Sequence, residues 1–167
     1  MKDDSERKHF ISELIVKLKI ASIAKVGQHK HSATRDLAMN RTAGHASGNE
    51  IIAIGASTGG TEATFTILKD LGNDLPGMVI VQHMPPVFTR LYSERLNNTC
   101  AMEVKEAEDG DAIRPGRVLI APGGLHMTVM RRGSGLYVDC REGEKVSGHC
   151  PSVDQLFLSI SRHKGLR

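Results

Sequence analysis

The stretch that most constrains this chain runs from Ile51 to His83. Ile51-Ile52-Ala53-Ile54 is a continuous apolar run that opens directly into Gly55-Ala56-Ser57-Thr58-Gly59-Gly60, and Met78-Val79-Ile80-Val81 is a second such run ending at Gln82-His83. Short unbroken apolar runs bounded by turn residues mark strands buried on both faces, the kind found in parallel sheets. Between them, residues 61–71 carry a helical pattern, with Phe65 and Leu68 apolar, Thr61 a candidate cap and Leu75-Pro76-Gly77 as punctuation. A strand-helix-strand unit of this kind requires a parallel sheet with a right-handed crossover.

Further elements extend the alternation. Met84-Pro85-Pro86 stops the second strand and starts another helix, on which Phe88, Leu91, Tyr92 and Leu96 share a face; Phe88, Leu91 and Leu96 are expected in the core. Glu106-Ala107-Glu108-Asp109-Gly110-Asp111 reads as a polar turn, and Arg114-Pro115-Gly116-Arg117 leads into a third buried strand, Val118-Leu119-Ile120-Ala121. Pro122-Gly123-Gly124 turns the chain into alternating His126-Met127-Thr128-Val129-Met130, which Arg132-Gly133-Ser134-Gly135 joins to Leu136-Tyr137-Val138 as a β-hairpin. Ser152 and Gln155 have capping-box spacing ahead of a last helix that passes through Ile160. The order predicts an α/β fold of three layers, with a doubly wound, mainly parallel, Rossmann-like sheet and one β-hairpin.

The part before Glu50 differs in texture. Ile11, Leu14, Ile15 and Leu18 fall on one helical face, which predicts a short amphipathic helix over about 9–26. Residues 27–49 are too poor in large apolar groups to offset their ordering entropy, so 1–49 is expected to be an interdomain linker and 50–167 the folded domain. Of 22 Lys/Arg and 19 Asp/Glu, nine bases and five acids fall in 1–49, leaving thirteen and fourteen for a nearly neutral folded part. Nucleic-acid binding rests on a concentrated basic surface, so no such partner is expected. No apolar run reaches the roughly 20 residues of a membrane span, and Met1-Lys2-Asp3-Asp4-Ser5-Glu6 is too acidic for a secretion signal, which predicts a cytoplasmic protein without membrane insertion. Cys100, Cys140 and Cys150 have no C-x-x-C spacing and read as idle thiols.

Gly55-Ala56-Ser57-Thr58-Gly59 is a G-x-S-x-G at a strand-to-helix junction. Small flanking residues permit the sharp turn that exposes a serine hydroxyl above the sheet, while the helix start supplies unpaired N–H groups. The same glycines also suit a phosphate-binding turn in a non-catalytic α/β module, although G-x-G-x-x-G is absent. His83 ends the next strand, 26 residues after Ser57. Adjacent strands lie about 4.8 Å apart, so its imidazole can meet the serine and take its proton. His29 and His31 read as solvated, His126 and His149 as structural, and Arg131, Arg132 and Arg141 as a solvated rim. Asp109 and Asp111 read as turn residues, and Asp154 as an acid in a first helical turn.

Ile51 to Glu62, Val81-Gln82-His83-Met84-Pro85-Pro86, Glu106-Ala107-Glu108-Asp109-Gly110, Ile120-Ala121-Pro122-Gly123-Gly124 and Pro151-Ser152-Val153-Asp154 together resemble the catalytic domain of the CheB family, the bacterial chemotaxis receptor methylesterases. The resemblance spans residues 51 to about 164, and segment 9–26 resembles that family's linker to an N-terminal receiver domain. It implies hydrolysis of γ-glutamyl methyl esters on methyl-accepting chemotaxis receptors, with glutamine deamidation as a related activity. It also implies Ser57 as nucleophile, His83 as general base and Thr58 as their active-site neighbour, with no metal or organic cofactor. The implied partners are the receptors and a receiver domain phosphorylated by the chemotaxis histidine kinase. The family's third catalytic residue is an aspartate in a Gly-Met-Gly-x-Asp-Gly run beyond the helix at 151–164, and no residue here matches it. The resemblance therefore implies a catalytic domain truncated at its C-terminus, weakly active or inactive, with a receptor-binding pseudoenzyme as the alternative.

Overall fold

Two apolar strands pairing side by side organise the described part of the molecule. In the computed structural model, which describes residues 50–163 together with Gly165 and Leu166, β1 (Ile51–Ala56) pairs in parallel with β2 (Gly77–Gln82). The helix expected at about 9–26 and the linker expected over 27–49 lie outside the described residues. Along the chain follow α1 (Gly60–Leu68) between β1 and β2, then α2 (Phe88–Asn97), β3 (Glu103–Glu106), β4 (Ala112–Ile113), β5 (Arg117–Ile120), β6 (His126–Arg132), β7 (Gly135–Arg141) and α3 (Val153–Ser161). A four-stranded parallel sheet has the order β1-β2-β5-β3, and a three-stranded antiparallel sheet the order β4-β7-β6.

The period of two along β2 and β5 divides the core. Met78, Ile80, Val118 and Ile120 pack with Leu68 of α1 and Tyr92 and Leu96 of α2. Val79, Val81, Leu119 and Ala121 face the other way, onto Met127, Val129, Leu136 and Val138 of the antiparallel sheet and Leu156 of α3. Every residue of β2 is buried, as expected of a central strand covered on both faces. The architecture is a mixed α/β fold with a parallel sheet; the expected hairpin is β6-β7, and β4 adds a short third strand to it.

Several local expectations are corrected. Helix α1 ends at Leu68 rather than continuing to 71, and its N-cap is Gly59, not Thr61. Strand β3 was not anticipated, because Glu103-Val104-Lys105-Glu106 carries charge at three of four positions. It lies at the sheet edge, where charge is tolerated and discourages further pairing. Glu103 meets Arg114 and Arg117 at 2.6 and 2.7 Å, and these guanidiniums, Arg117 first, hold its carboxyl below the usual range. Phe88 and Leu91 are 56% and 51% exposed, against the expectation of core positions. The buried stripe of α2 is Thr89, Tyr92, Ser93 and Leu96. Its two hydroxyls are satisfied there: Thr89 donates to Glu106 and accepts from Gly123 N–H, while Ser93 donates to the Arg90 carbonyl. A hydrophobic count assigns no such stripe to polar residues.

This arrangement separates two leucines of one helix. Leu96→Ala is expected to cost about 2–5 kcal/mol, since it opens a cavity among fully buried residues, whereas Leu91→Ala stays within about 0.5 kcal/mol. Urea midpoints of the two variants provide the check, and equal losses would contradict the assigned stripe.

Candidate functional site

The serine turn is shaped by close approaches that glycine alone allows. A Cβ on Gly55 would stand 2.4 Å from Val153 Cγ1, where α3 packs against the end of β1. A Cβ on Gly60 would stand 2.6 Å from Ala56 Cβ and 2.3 Å from Gln82 Oε1. Gly59 adopts the left-handed φ of 78°, and Gly60 N–H donates to the Ser57 carbonyl at 2.8 Å. Ser57 and Thr58 are thereby exposed at the start of α1, whose first-turn N–H groups are the ones a helix leaves without intrahelical partners.

The β1–β2 register sets the second group. Gly55 lies opposite Val81 and Ala56 opposite Gln82, and His83 N–H continues the ladder by donating to the Ala56 carbonyl at 3.0 Å. His83 therefore leaves β2 beside the serine turn, with its Nδ1 3.3 Å from Ser57 Oγ. Gln82, buried in the strand, donates through Nε2 to the Ser57 carbonyl at 2.9 Å and ties the turn to β2 from below. Spacing gave no sign of that tether, because Gln82 reads only as the end of an apolar run.

The His83 imidazole lies in a mixed environment. Burial pushes its pKa below the ordinary histidine value and neighbouring His149 pushes it the same way, while Asp154 opposes them. His149 stacks on the His83 ring at 3.8 Å between centroids and 13° between planes. The stack brings together two residues 66 apart in sequence, which no spacing rule links. An open cavity of about 370 Å³ adjoins the pair, lined by His83, Met84, Pro85, Lys145, His149 and Pro151 among others.

The remaining sequence candidates sit elsewhere. His126 is buried, with Nε2 2.8 Å from the Glu144 carbonyl. Asp111 pairs with Lys105 at 3.0 Å and accepts from Glu108 N–H, and Asp109 accepts from Cys140 N–H. Asp154 accepts a hydrogen bond from Ser147 Oγ at 2.5 Å. Arg131, Arg132 and Arg141 are exposed. Burial, with nearby carboxylates, raises the Cys140 pKa to about 12, so that thiol stays protonated at neutral pH. Among the described residues no cluster of three or more His, Cys, Asp or Glu could hold a metal ion, and no helix is long and apolar enough to cross a membrane.

Fold and site together define an α/β domain that presents a hydroxyl and an imidazole at the carboxyl ends of adjacent parallel strands. The model of the CheB methylesterase family matches residues 52–167, and the chain belongs to that family. It is 49% identical over 158 residues to protein-glutamate methylesterase/protein-glutamine glutaminase 2 of Syntrophomonas wolfei, covering 95% of this chain and 46% of the relative. To the protein-glutamate methylesterase/protein-glutamine glutaminase of Syntrophotalea carbinolica it is 52% identical over 162 residues, again covering 95% and 46%. The chain thus spans about half the length of these curated relatives. The crystal structure of the Thermotoga maritima CheB methylesterase catalytic domain superposes with a TM-score of 0.65 at 36% identity, covering 69% of this chain and 61% of that one.

Gly60→Ala is expected to push Gln82 off the Ser57 carbonyl and destabilise the domain by about 1–3 kcal/mol, the usual cost of overpacking a tight contact. Chemical denaturation checks the value, and an unchanged midpoint would mean that the turn is not held by this close approach.

Proposed function

We propose that this chain carries the nucleophile and base of a protein-glutamate methylesterase, with Ser57 attacking γ-glutamyl methyl esters of methyl-accepting chemotaxis receptors. The observation that carries the reading is the 3.3 Å approach of Ser57 Oγ to His83 Nδ1 on an exposed strand-to-helix turn. The names of the relatives, each a protein-glutamate methylesterase/protein-glutamine glutaminase, supply the substrate class and glutamine deamidation as the companion activity. Thr58, next to Ser57 on the same exposed turn, supports a reading in which it lines the substrate's approach. Residues 50–167 are the catalytic part, and 1–49 the linker to a receiver domain phosphorylated by the chemotaxis kinase. The protein acts in the cytoplasm.

The chemistry follows from the two groups. As the Ser57 oxygen bonds to the ester carbonyl carbon, its proton passes to His83 Nδ1, and N–H groups at the start of α1 stabilise the negative oxygen. The carbon–methoxy bond then breaks, and His83 returns the proton to the departing oxygen, so methanol leaves. Water, deprotonated by the same imidazole, attacks the acyl-serine; glutamate is released and Ser57 regains its proton.

Methanol release from methylated receptor membranes, read together with Ser57 labelling by an alkyl fluorophosphonate, tests the proposal. Ser57→Ala is expected to abolish both, and methanol release that survives this substitution would overturn the nucleophile assignment. The labelling reaction has a balanced course of its own: Ser57 oxygen bonds to phosphorus, fluoride leaves, and His83 takes the proton. Mass spectrometry detects the adduct even where turnover is slow.

The pH dependence has a definite sign. His83 accepts a proton only when neutral, and burial together with His149 lowers its pKa. The labelling rate should therefore rise with pH to a plateau, with its midpoint below the ordinary value of about 6.5. A midpoint above that value would contradict the environment described for the imidazole.

A further inference from the structure

The position of His149 is built by a sequence of short-range constraints that ends on His83. Val146 and His149 form a bridge in which each N–H donates to the other's carbonyl at 3.1 Å. The two residues between them, Ser147 and Gly148, have φ of 52° and 81°, the signature of a tight turn with both central residues in the left-handed region. Glycine takes that conformation freely, but serine does not. Its hydroxyl donates to Asp154 Oδ2 at 2.5 Å, which moors the turn to the first turn of α3. That helix is fixed in turn, because Ser152 caps it by accepting from Gln155 N–H and Val153 packs against Gly55. The His149 ring is thus carried on a hydrogen-bonded turn anchored to a helix that contacts the strand leading into Ser57.

The ring lies nearly flat on the His83 imidazole, with 3.8 Å between centroids. An imidazole reached from a strand end has a free second torsion, and rotation about it swings Nδ1 away from Ser57 Oγ. A parallel ring on one face blocks that rotation while leaving the nitrogen edge open. From this geometry we infer that His149 is a positioning residue, which holds the plane of His83 so that its Nδ1 faces the serine hydroxyl. This inference deepens the proposed function and rests on His83 being the base. The charged and titratable groups around the pair are Asp154 on α3 and Lys145 and Cys150 on the loop that carries His149.

Two variants separate stacking from charge. His149→Phe keeps a flat ring but cannot protonate, and His149→Ala removes the ring. Because His149 is exposed, both are expected to retain the folded domain, which amide spectra of each variant verify. For His149→Ala, Ser57 labelling by the fluorophosphonate is expected to slow on the order of 10²-fold, as for a misaligned catalytic group, and the ring-current shift of the His83 carbon protons in NMR is lost. For His149→Phe, labelling at pH 8 is retained within about threefold, the ring-current shift persists, and the His83 midpoint moves up as a neighbouring positive charge is removed. A His149→Ala protein with unchanged labelling would overturn the inference whatever its His83 signals, and so would a His149→Phe protein as slow as the alanine variant. The underlying reading fails separately: if His83→Gln leaves Ser57 labelling unaffected, His83 is not the base, whatever the NMR shows about stacking.

Discussion

Hydrogen bonding between β1 and β2 is the constraint on which the site depends. Parallel pairing at this register places Ala56 opposite Gln82, and the ladder runs one step further through His83 N–H to the Ala56 carbonyl. A one-residue slip would turn every side chain of β1 to the opposite face and move the serine turn away from the imidazole. The register is held by burial, because β2 alternates Met78 and Ile80 toward the helices with Val79 and Val81 toward the second sheet. Both faces are dry, so a slip would exchange two packed surfaces at once. Core packing and the meeting of Ser57 with His83 are therefore one structural fact seen from two distances.

Around this ladder the site is assembled by contacts too close for ordinary side chains. Gly55 lets α3 reach β1, and Gly60 lets α1 reach both Ala56 and Gln82. Gly123 does the same beneath the Pro85-Pro86 corner, where a Cβ would stand 2.4 Å from Pro86 N. That corner follows His83 directly, and the Thr89 hydroxyl joins it to β3 and to the Gly123 N–H. The loop that carries His83 is thus fixed at its strand end, by the Ala56 hydrogen bond, and at its helix end, by Thr89. Rigid support on both sides suits the proposed role of His83, in which it keeps sub-ångström alignment with the Ser57 hydroxyl.

The parallel strands and the serine turn were legible in the sequence because their signals are local: unbroken apolar runs, a G-x-S-x-G and a proline stop. The meeting of Ser57 with His83 was also legible, since it needs only two consecutive strands and the short distance between them. Less accessible were features decided by tertiary contact. Strand β3 carries Glu103, to which Arg114 and Arg117 donate, and the buried stripe of α2 includes Thr89, whose hydroxyl is satisfied by Glu106 and by Gly123 N–H, and Ser93, which donates back to the Arg90 carbonyl. His149 was the hardest case. Its place on His83 depends on a turn, an anchoring carboxylate and a helix, each unremarkable alone, and no periodicity brings residues 83 and 149 together.

The histidine stack also bears on how the proposed base is tuned. A carboxylate beside an imidazole raises its pKa and so strengthens it as a base, but extends the pH range in which it is already protonated. Here burial and a second imidazole act against Asp154, and their combined effect is downward. The result is a weaker base that stays neutral under more acidic conditions. Orientation by a flat aromatic face needs no charge, whereas orientation by a carboxylate couples alignment to a shift in pKa. In the proposed arrangement His149 aligns the plane of His83 through its ring, and the same residue acts with burial and against Asp154 on the proton affinity of that imidazole.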